Sequence, residues 1–203
     1  MVSKKPHEAL LIATRNRGKI REIERLLALP GLVLRGLDEF LEVPEVEETA
    51  TTFAGNAQLK AQAYAQATGL WALADDSGLE VAALNGAPGV YAARYGGPGL
   101  DDAGRVQYLL QQLDGVPAEQ WQARFVCTMA LANPAGDIVF TGTGTCEGHL
   151  VNTPRGTNGF GYDPIFVPPG HTQTFAELPA AVKNDISHRA QAVRRVLVWL
   201  KEL

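Results

Sequence analysis

Apolar residues recur along this chain in three rhythms, and each rhythm predicts an element. Ala9-Leu10-Leu11-Ile12-Ala13 is an unbroken apolar run that reads as a fully buried strand. From Gly18, apolar Ile20, Ile23, Leu26 and Leu27 follow helical spacing until Pro30-Gly31 stops the helix, and Leu32-Val33-Leu34 restarts as a strand. Phe53 to Ala67 is Ala-rich and long enough for a second helix ending at Gly69, and Trp71-Ala72-Leu73-Ala74 reads as a short buried strand. Gly86 to Gly99, rich in Gly and Pro, reads as a long functional loop. Asp102 to Leu113 places Val106, Leu109, Leu110 and Leu113 on one helical face. Phe125, Cys127, Met129 and Leu131 then alternate, Asn133-Pro134-Ala135-Gly136-Asp137 turns the chain, and Ile138-Val139-Phe140 starts the return of a hairpin. A last helix, N-capped by Ser187, buries Ala192, Val193, Val196, Leu197 and Leu200. Strands interleaved with helices, plus a hairpin, imply an α/β protein with a mixed sheet.

Composition narrows the setting. An apolar content of 46% and a charged content of 20% in 203 residues can bury an ordinary core without disulfides or metal staples. The net charge of −4 argues against a nucleic-acid polymer as partner, since that surface needs a basic stripe. No apolar run approaches the roughly 20 residues that span a bilayer. The start, Met1 to Glu8, is followed by too short an apolar stretch for a secretory signal. Cys127 and Cys146 form no C-x-x-C pair and read as small buried residues, so a cytoplasmic setting is expected. Without a linker or an internal repeat, residues 1–203 read as a single domain.

Four constellations carry chemistry. Thr14-Arg15-Asn16-Arg17-Gly18-Lys19 joins a strand to a helix and can present N–H groups and an ammonium to phosphates; its spacing is not that of a P-loop, and the same residues suit a solvated connection. Asp75-Asp76-Ser77-Gly78 follows a buried strand, so its carboxylates are expected at the strand's end. Adjacent residues of an extended chain face opposite ways, so one carboxylate points into the site while the other braces the loop; an Asx-type turn is the competing reading. Glu45, Glu47 and Glu48 form an acidic cluster upstream, and one glutamate with one aspartate makes a magnesium site when water and phosphate complete it. Phe160-Gly161-Tyr162-Asp163, preceded by glycines, can stack on a planar base and accept from a ring N–H, or can simply pack beneath a loop. Finally, Ser187-His188-Arg189 puts cations at a helix start, where the peptide dipole disfavours them. Such a violation marks a place where function offsets the cost, here a site for an electron-rich oxygen with Lys183 nearby.

In this order and spacing, the blocks resemble the inosine triphosphate pyrophosphatase family, the XTP/dITP diphosphatases. The residues that carry the likeness are Ala13-Thr14-x-Asn16-x-x-Lys19, Thr52-Phe53-x-x-Asn56-Ala57-x-x-Lys60-Ala61 and Ala74 to Leu79. They continue through Gly86 to Tyr95, Gly159 to Pro164 and Lys183-x-x-Ile186-Ser187-His188-Arg189. The resemblance implies an elongated α/β fold with a mixed sheet, two lobes around a cleft, a homodimer and a Mg²⁺ requirement. It implies hydrolysis of ITP, dITP and XTP to monophosphate and pyrophosphate. By position, Thr14, Arg15, Asn16, Arg17, Gly18, Lys19 and Lys60 would hold the triphosphate, and Glu48 and Asp76 the metal. Asp76 would also accept the proton, with Ser77 beside the substrate. Phe160, Gly161, Tyr162, Asp163, Lys183, His188 and Arg189 would surround the base, which moves the helix-start cations from phosphate to base. Gly55 stands where many relatives carry Glu, which leaves any third carboxylate in doubt. The rival readings are a pyrophosphatase for other modified nucleotides on a related fold and a nucleotide-binding module without turnover.

Overall fold

The computed structural model describes residues 9–202; the Met1–Glu8 segment, weighed above as a leader, lies outside the described residues. Strand β1 (Ala9–Ile12) feeds helix α1 (Arg17–Leu26), and β2 (Val33–Gly36) returns beside β1 in parallel. Helix α2 (Phe53–Thr68) leads into β3 (Trp71–Val81), which pairs in parallel with the other edge of β1. Helix α3 (Asp102–Gln112) precedes β4 (Gln122–Ala132) and β5 (Ile138–Leu150), joined by the turn at 133–137 as the alternation requires. Short β6 (Phe166–Val167) runs antiparallel to β5, and helices α4 (Ala180–Ile186) and α5 (His188–Glu202) end the chain. The mixed sheet has the order β2-β1-β3-β4-β5-β6. Among the described residues, no helix is long and apolar enough to cross a membrane.

The chain divides into two compact units. The first comprises the segment through Asp76, Cys127–Gly144 and the chain from Arg189 onward; the second comprises Ser77–Val126 and Thr145–His188. In the first unit, β3 and β4 send alternate side chains to two cores. Trp71, Leu73, Cys127, Met129 and Leu131 pack with Ile23 of α1, with Leu27 at its C-cap, and with Ala192, Val193 and Val196 of α5. Ala72, Ala74, Ala130 and Ala132 pack with Ala57, Ala61, Tyr64 and Ala65 of α2. The small residues let α2 lie close to the strands. In the second unit, Leu79, Val81, Phe125, Phe166 and Phe175 form an aromatic-rich core with Val106 and Leu109 of α3.

Two boundaries differ from expectation. Asp75-Asp76-Ser77-Gly78 is not a loop at a strand end; β3 runs through it to Val81. The strand is buried on both faces from Trp71 to Asp76, and beyond the polar stretch Leu79 and Val81 are again fully buried, with Glu80 half-exposed between them, which holds the chain extended. The two carboxylates therefore sit in mid-strand. The Gly- and Pro-rich stretch from Gly86 is also less irregular than its composition implies, because Gly89–Arg94 forms a 3₁₀ helix.

Candidate active site

The parity of an extended strand sends Asp75 and Asp76 to opposite faces of β3, and the two meet different partners. Asp75, 1% exposed, lies on the α1/α5 side. Lys19 Nζ is 3.0 Å from its Oδ2 and Arg189 Nη2 is 3.5 Å away. Arg189 also donates to Glu22 of α1, which gives an array of two carboxylates and two cations in which Asp75 and Arg189 are buried and Lys19 and Glu22 partly so. Burial alone would raise the proton affinity of Asp75. The charges of Lys19, Arg189 and Lys60 outweigh it and hold the carboxyl well below the usual carboxylate range. The Cys127 thiol, buried with its Sγ 3.9 Å from the same oxygen, is pushed up to about 12 by burial and by that anion. The helix-start cation that breaks the dipole rule is thus compensated by Glu22 and Asp75, not left open in a pocket.

Asp76 occupies the α2 side. Asn56, fully buried in the first turns of α2, donates from Nδ2 to Asp76 Oδ2 at 3.1 Å. Lys60, one helical turn further along the same face, places Nζ 2.5 Å from Glu48 Oε1 and 3.7 Å from Asp76 Oδ1. Burial of the Lys60 ammonium is more than offset by Asp75, Asp76 and Glu48, so it stays charged. For Asp76 the balance tips the other way. Burial dominates, Lys60 and Asn56 only partly counter it, Glu48 adds repulsion, and the proton affinity ends above that of an ordinary carboxyl. Of the three clustered glutamates, Glu48 is the one half-buried here; Glu45 and Glu47 are exposed.

Among the described residues, no group of three or more His, Cys, Asp or Glu side chains is disposed to hold a metal. Two carboxylates gathered on one ammonium nonetheless fit magnesium, a hard cation that takes one or two carboxylates and draws its other ligands from water and phosphate. The Thr14–Lys19 loop, expected to hold phosphate, is built differently from its sequence outline. Asn16 caps α1, its Oδ1 accepting from Gly18 N at 2.9 Å and Lys19 N at 3.1 Å, so those amides already have a partner within the loop. Thr14 Oγ1 accepts from Asn16 N, Arg17 is exposed, and Arg15 donates to Val43 O at 2.8 Å. Of this loop, the Lys19 side chain is the part that reaches a buried carboxylate, that of Asp75.

The remaining expected residues gather in the second unit, apart from Arg189. Lys183 on α4 is buried, with Nζ 2.5 Å from Asp163 Oδ2 and 5.0 Å from the centre of the Phe160 ring. Phe160 N donates to the same Asp163 oxygen, which folds the Gly-rich turn back on itself. Gly161 N donates to Asp102 at the start of α3, and the buried Tyr162 hydroxyl donates to Ala92 O at 2.9 Å. His188 stacks flat on Phe125, with ring centres 4.7 Å apart. Ser187 is buried and extended at the α4–α5 junction, and Ser77 is half-buried on β3. Sequence reasoning assigned no role to Asn56 or Glu22. A polar residue on the Ala-rich buried face of α2 was a usable signal for Asn56; nothing local marks Glu22 as the partner of a residue 167 positions away.

Comparison with known proteins identifies the family and the fold. A model of the Ham1 family matches residues 10–199. A protein of Desulforamulus reducens called dITP/XTP pyrophosphatase is 48% identical over 194 residues, 96% of each chain. One of Rhodospirillum centenum bearing the same name is 50% identical over 191 residues, covering 94% of this chain and 93% of that one. The solved HAM1 protein of Coxiella burnetii superposes with a TM-score of 0.88 at 42% identity, over 97% of this chain and all of that one. The Staphylococcus aureus Ham1 protein does so with a TM-score of 0.85 at 38% identity, over 96% of this chain and 99% of that one. With a family model over residues 10–199 and relatives of such identity over most of its length, the chain belongs to the Ham1 family.

Proposed function

We propose that this protein hydrolyses the triphosphates of non-standard purines, ITP, dITP and XTP, to the monophosphate and pyrophosphate, and so clears them from the nucleotide pool. The observation that carries this reading is the near-full-length identity, about half of all positions, with proteins called dITP/XTP pyrophosphatase. The arrangement of charge supports it. Lys19 and Lys60 supply cations for a triphosphate chain, and Thr14 to Lys19 form the loop that receives it. Glu48 and Asp76 would hold magnesium, which when bound supplies Lewis-acid neutralisation of phosphate charge.

In the reaction, Asp76 orients a water against the α-phosphorus and takes its proton as the new P–O bond forms. The bond from the α-phosphorus to the bridging oxygen breaks, and pyrophosphate leaves with that oxygen. Burial suits Asp76 to this work because it raises the carboxylate's affinity for a proton. Lys60 beside Asp76 offsets the negative charge that gathers on the departing group.

Phe160, Asp163, Lys183 and His188 form the set we assign to the base. An ammonium carries three donors, so Lys183 can serve Asp163 and a purine 6-keto oxygen together. A 6-amino group would oppose donor to donor, at about 1–3 kcal/mol for each partner left unmade. For Arg189 we replace the base role with that of holding Glu22 and Asp75, to which its buried guanidinium is bonded. The reading extends to a cytoplasmic setting, in which the buried cysteines stay reduced, and to a homodimer that light scattering would detect.

The test is pyrophosphate release with Mg²⁺ across ITP, dITP, XTP, GTP and ATP. Strong preference for the first three is expected. Comparable efficiency on ATP would contradict the specificity, orthophosphate would mean attack at the γ-phosphorus, and binding without pyrophosphate release would make the protein a module without turnover.

A further inference from the structure

We infer that Asn56 is a positioning residue that locks the Glu48 segment to the β3 carboxylate, and that Gly55 is the residue that lets it do so. Asn56 uses both ends of one buried carboxamide. Its Nδ2 donates to Asp76 Oδ2 at 3.1 Å, and its Oδ1 accepts from Ala50 N at 2.9 Å. Ala50 lies two residues beyond Glu48, so one side chain fixes the segment bearing one carboxylate against the strand bearing the other. Lys60, on the same face of α2, meets both carboxylates. A second tie steadies the segment from its other end, where Val46 N donates to the Tyr64 hydroxyl of α2 at 3.2 Å.

Gly55 explains how Ala50 comes close enough. It stands at the third position of α2, where the N-cap Thr52 accepts from its N–H at 3.1 Å. A Glu there would complete a capping box, and even Ala would favour the helix by about 1 kcal/mol. The chain has neither. A Cβ on Gly55 would lie 2.7 Å from Ala50 Cβ and 3.1 Å from Thr52 Oγ1. Ala50 Cβ has no flexible stem, so its backbone would have to move, and the bond to Asn56 with it. Helix propensity is given up here for the approach of the 48–52 segment.

The inference rests on the proposed function in one respect, that Glu48 and Asp76 take the metal. Asn56→Ala, Gly55→Ala and the double variant Gly55→Ala/Ala50→Gly are compared with wild type by three measurements. These are amide exchange at residues 48–52 without metal, Mn²⁺ binding followed by its paramagnetic signal, and the Mg²⁺ dependence of dITP hydrolysis. Asn56→Ala should speed exchange at Ala50 and weaken Mn²⁺ binding and half-saturation by Mg²⁺ by about 10–100-fold. The KM for dITP measured at saturating Mg²⁺ should stay unchanged. Gly55→Ala should do the same to a smaller degree, and Ala50→Gly in the double variant should restore it by removing the opposing methyl. If Asn56→Ala does not fold, the Gly55 pair decides alone. Wild-type exchange and metal affinity in Gly55→Ala would overturn the inference, as would a rise confined to the dITP KM in Asn56→Ala. If exchange responds as expected but wild-type turnover needs no metal, the anchoring stands and the metal reading fails instead.

Discussion

Asp75 and Asp76 are consecutive, both buried, and both face lysine, yet the two faces of β3 give them opposite character. On the α1/α5 face, Lys19 and Arg189 surround Asp75 and hold it ionised. On the α2 face, Lys60 is shared with Glu48, and burial leaves Asp76 with a raised affinity for protons. The ratio of cations to carboxylates around each oxygen separates them, not burial. One face is suited to holding structure and the other to moving a proton.

The largest expected effect lies on the Asp76 face. Asp76→Asn should lower kcat for dITP by about 10²–10⁴-fold while dITP still binds, the range for loss of a positioned acid–base group. Chelation of Mg²⁺ should stop the reaction in wild type; turnover persisting in chelator would remove the metal from the mechanism.

Next in size is a loss of stability on the other face. Arg189→Ala leaves buried Asp75 and partly buried Glu22 with one cation fewer, at a cost of about 3 kcal/mol by denaturant unfolding, the low end for a buried pair because water reaches Glu22. A variant as stable as wild type would show that Arg189 does not hold that array and would return it to the base pocket. Lys183→Ala should instead leave the fold largely intact and shrink the ratio of ITP to ATP efficiency, by the factor that a lost donor worth about 1–3 kcal/mol implies. Equal losses on both substrates would sever Lys183 from base choice.

Acid should separate the faces by sign. The pKa of Asp75 is lower in the folded state than in the unfolded chain, so its stabilisation is present above the unfolded value near 3.9 and is lost as pH falls below it. The pKa of Asp76 is raised, so its ionisation costs the fold stability as pH rises from the unfolded value through the folded one. In chelator, Asp75→Asn should therefore flatten the acid-side loss of stability, whereas Asp76→Asn should remove a small gain on acidification. Unchanged slopes in both variants would mean that neither shift exists. The smallest effect belongs to Tyr162→Phe, which loses the bond to Ala92 O and should cost about 1 kcal/mol with rate constants near wild type.

The sequence made some of this legible and hid the rest for physical reasons. Periodic apolar positions report α1, α3, α5 and the β4–β5 hairpin because each repeats over several turns or pairs, and Ala-rich composition and length report α2. Neither could carry β3 through Asp75-Asp76-Ser77-Gly78, since four residues with turn chemistry look like an end unless the burial of Leu79 and Val81 is known. The opposite facing of the two aspartates followed from strand geometry alone. Arg189 was visible as an anomaly at a helix start, but its answer, Glu22, lies in another helix, and no local pattern encodes a distant ion pair. Asn56 hid in plain sight because a buried carboxamide declares its role only when both of its partners are seen.

The proposed function divides the two neighbours, with Asp75 assigned to the fold and Asp76 to the chemistry. Its most direct measurement is the matched pair Asp75→Asn and Asp76→Asn, each assayed for unfolding free energy in chelator and for dITP turnover with Mg²⁺ in the remaining folded protein. The expected result is crossed: Asp75→Asn loses about 3–5 kcal/mol of stability and keeps much of its turnover per folded molecule, whereas Asp76→Asn keeps its stability and loses its turnover. Loss of turnover in a stable Asp75→Asn, with Asp76→Asn still active, would contradict it.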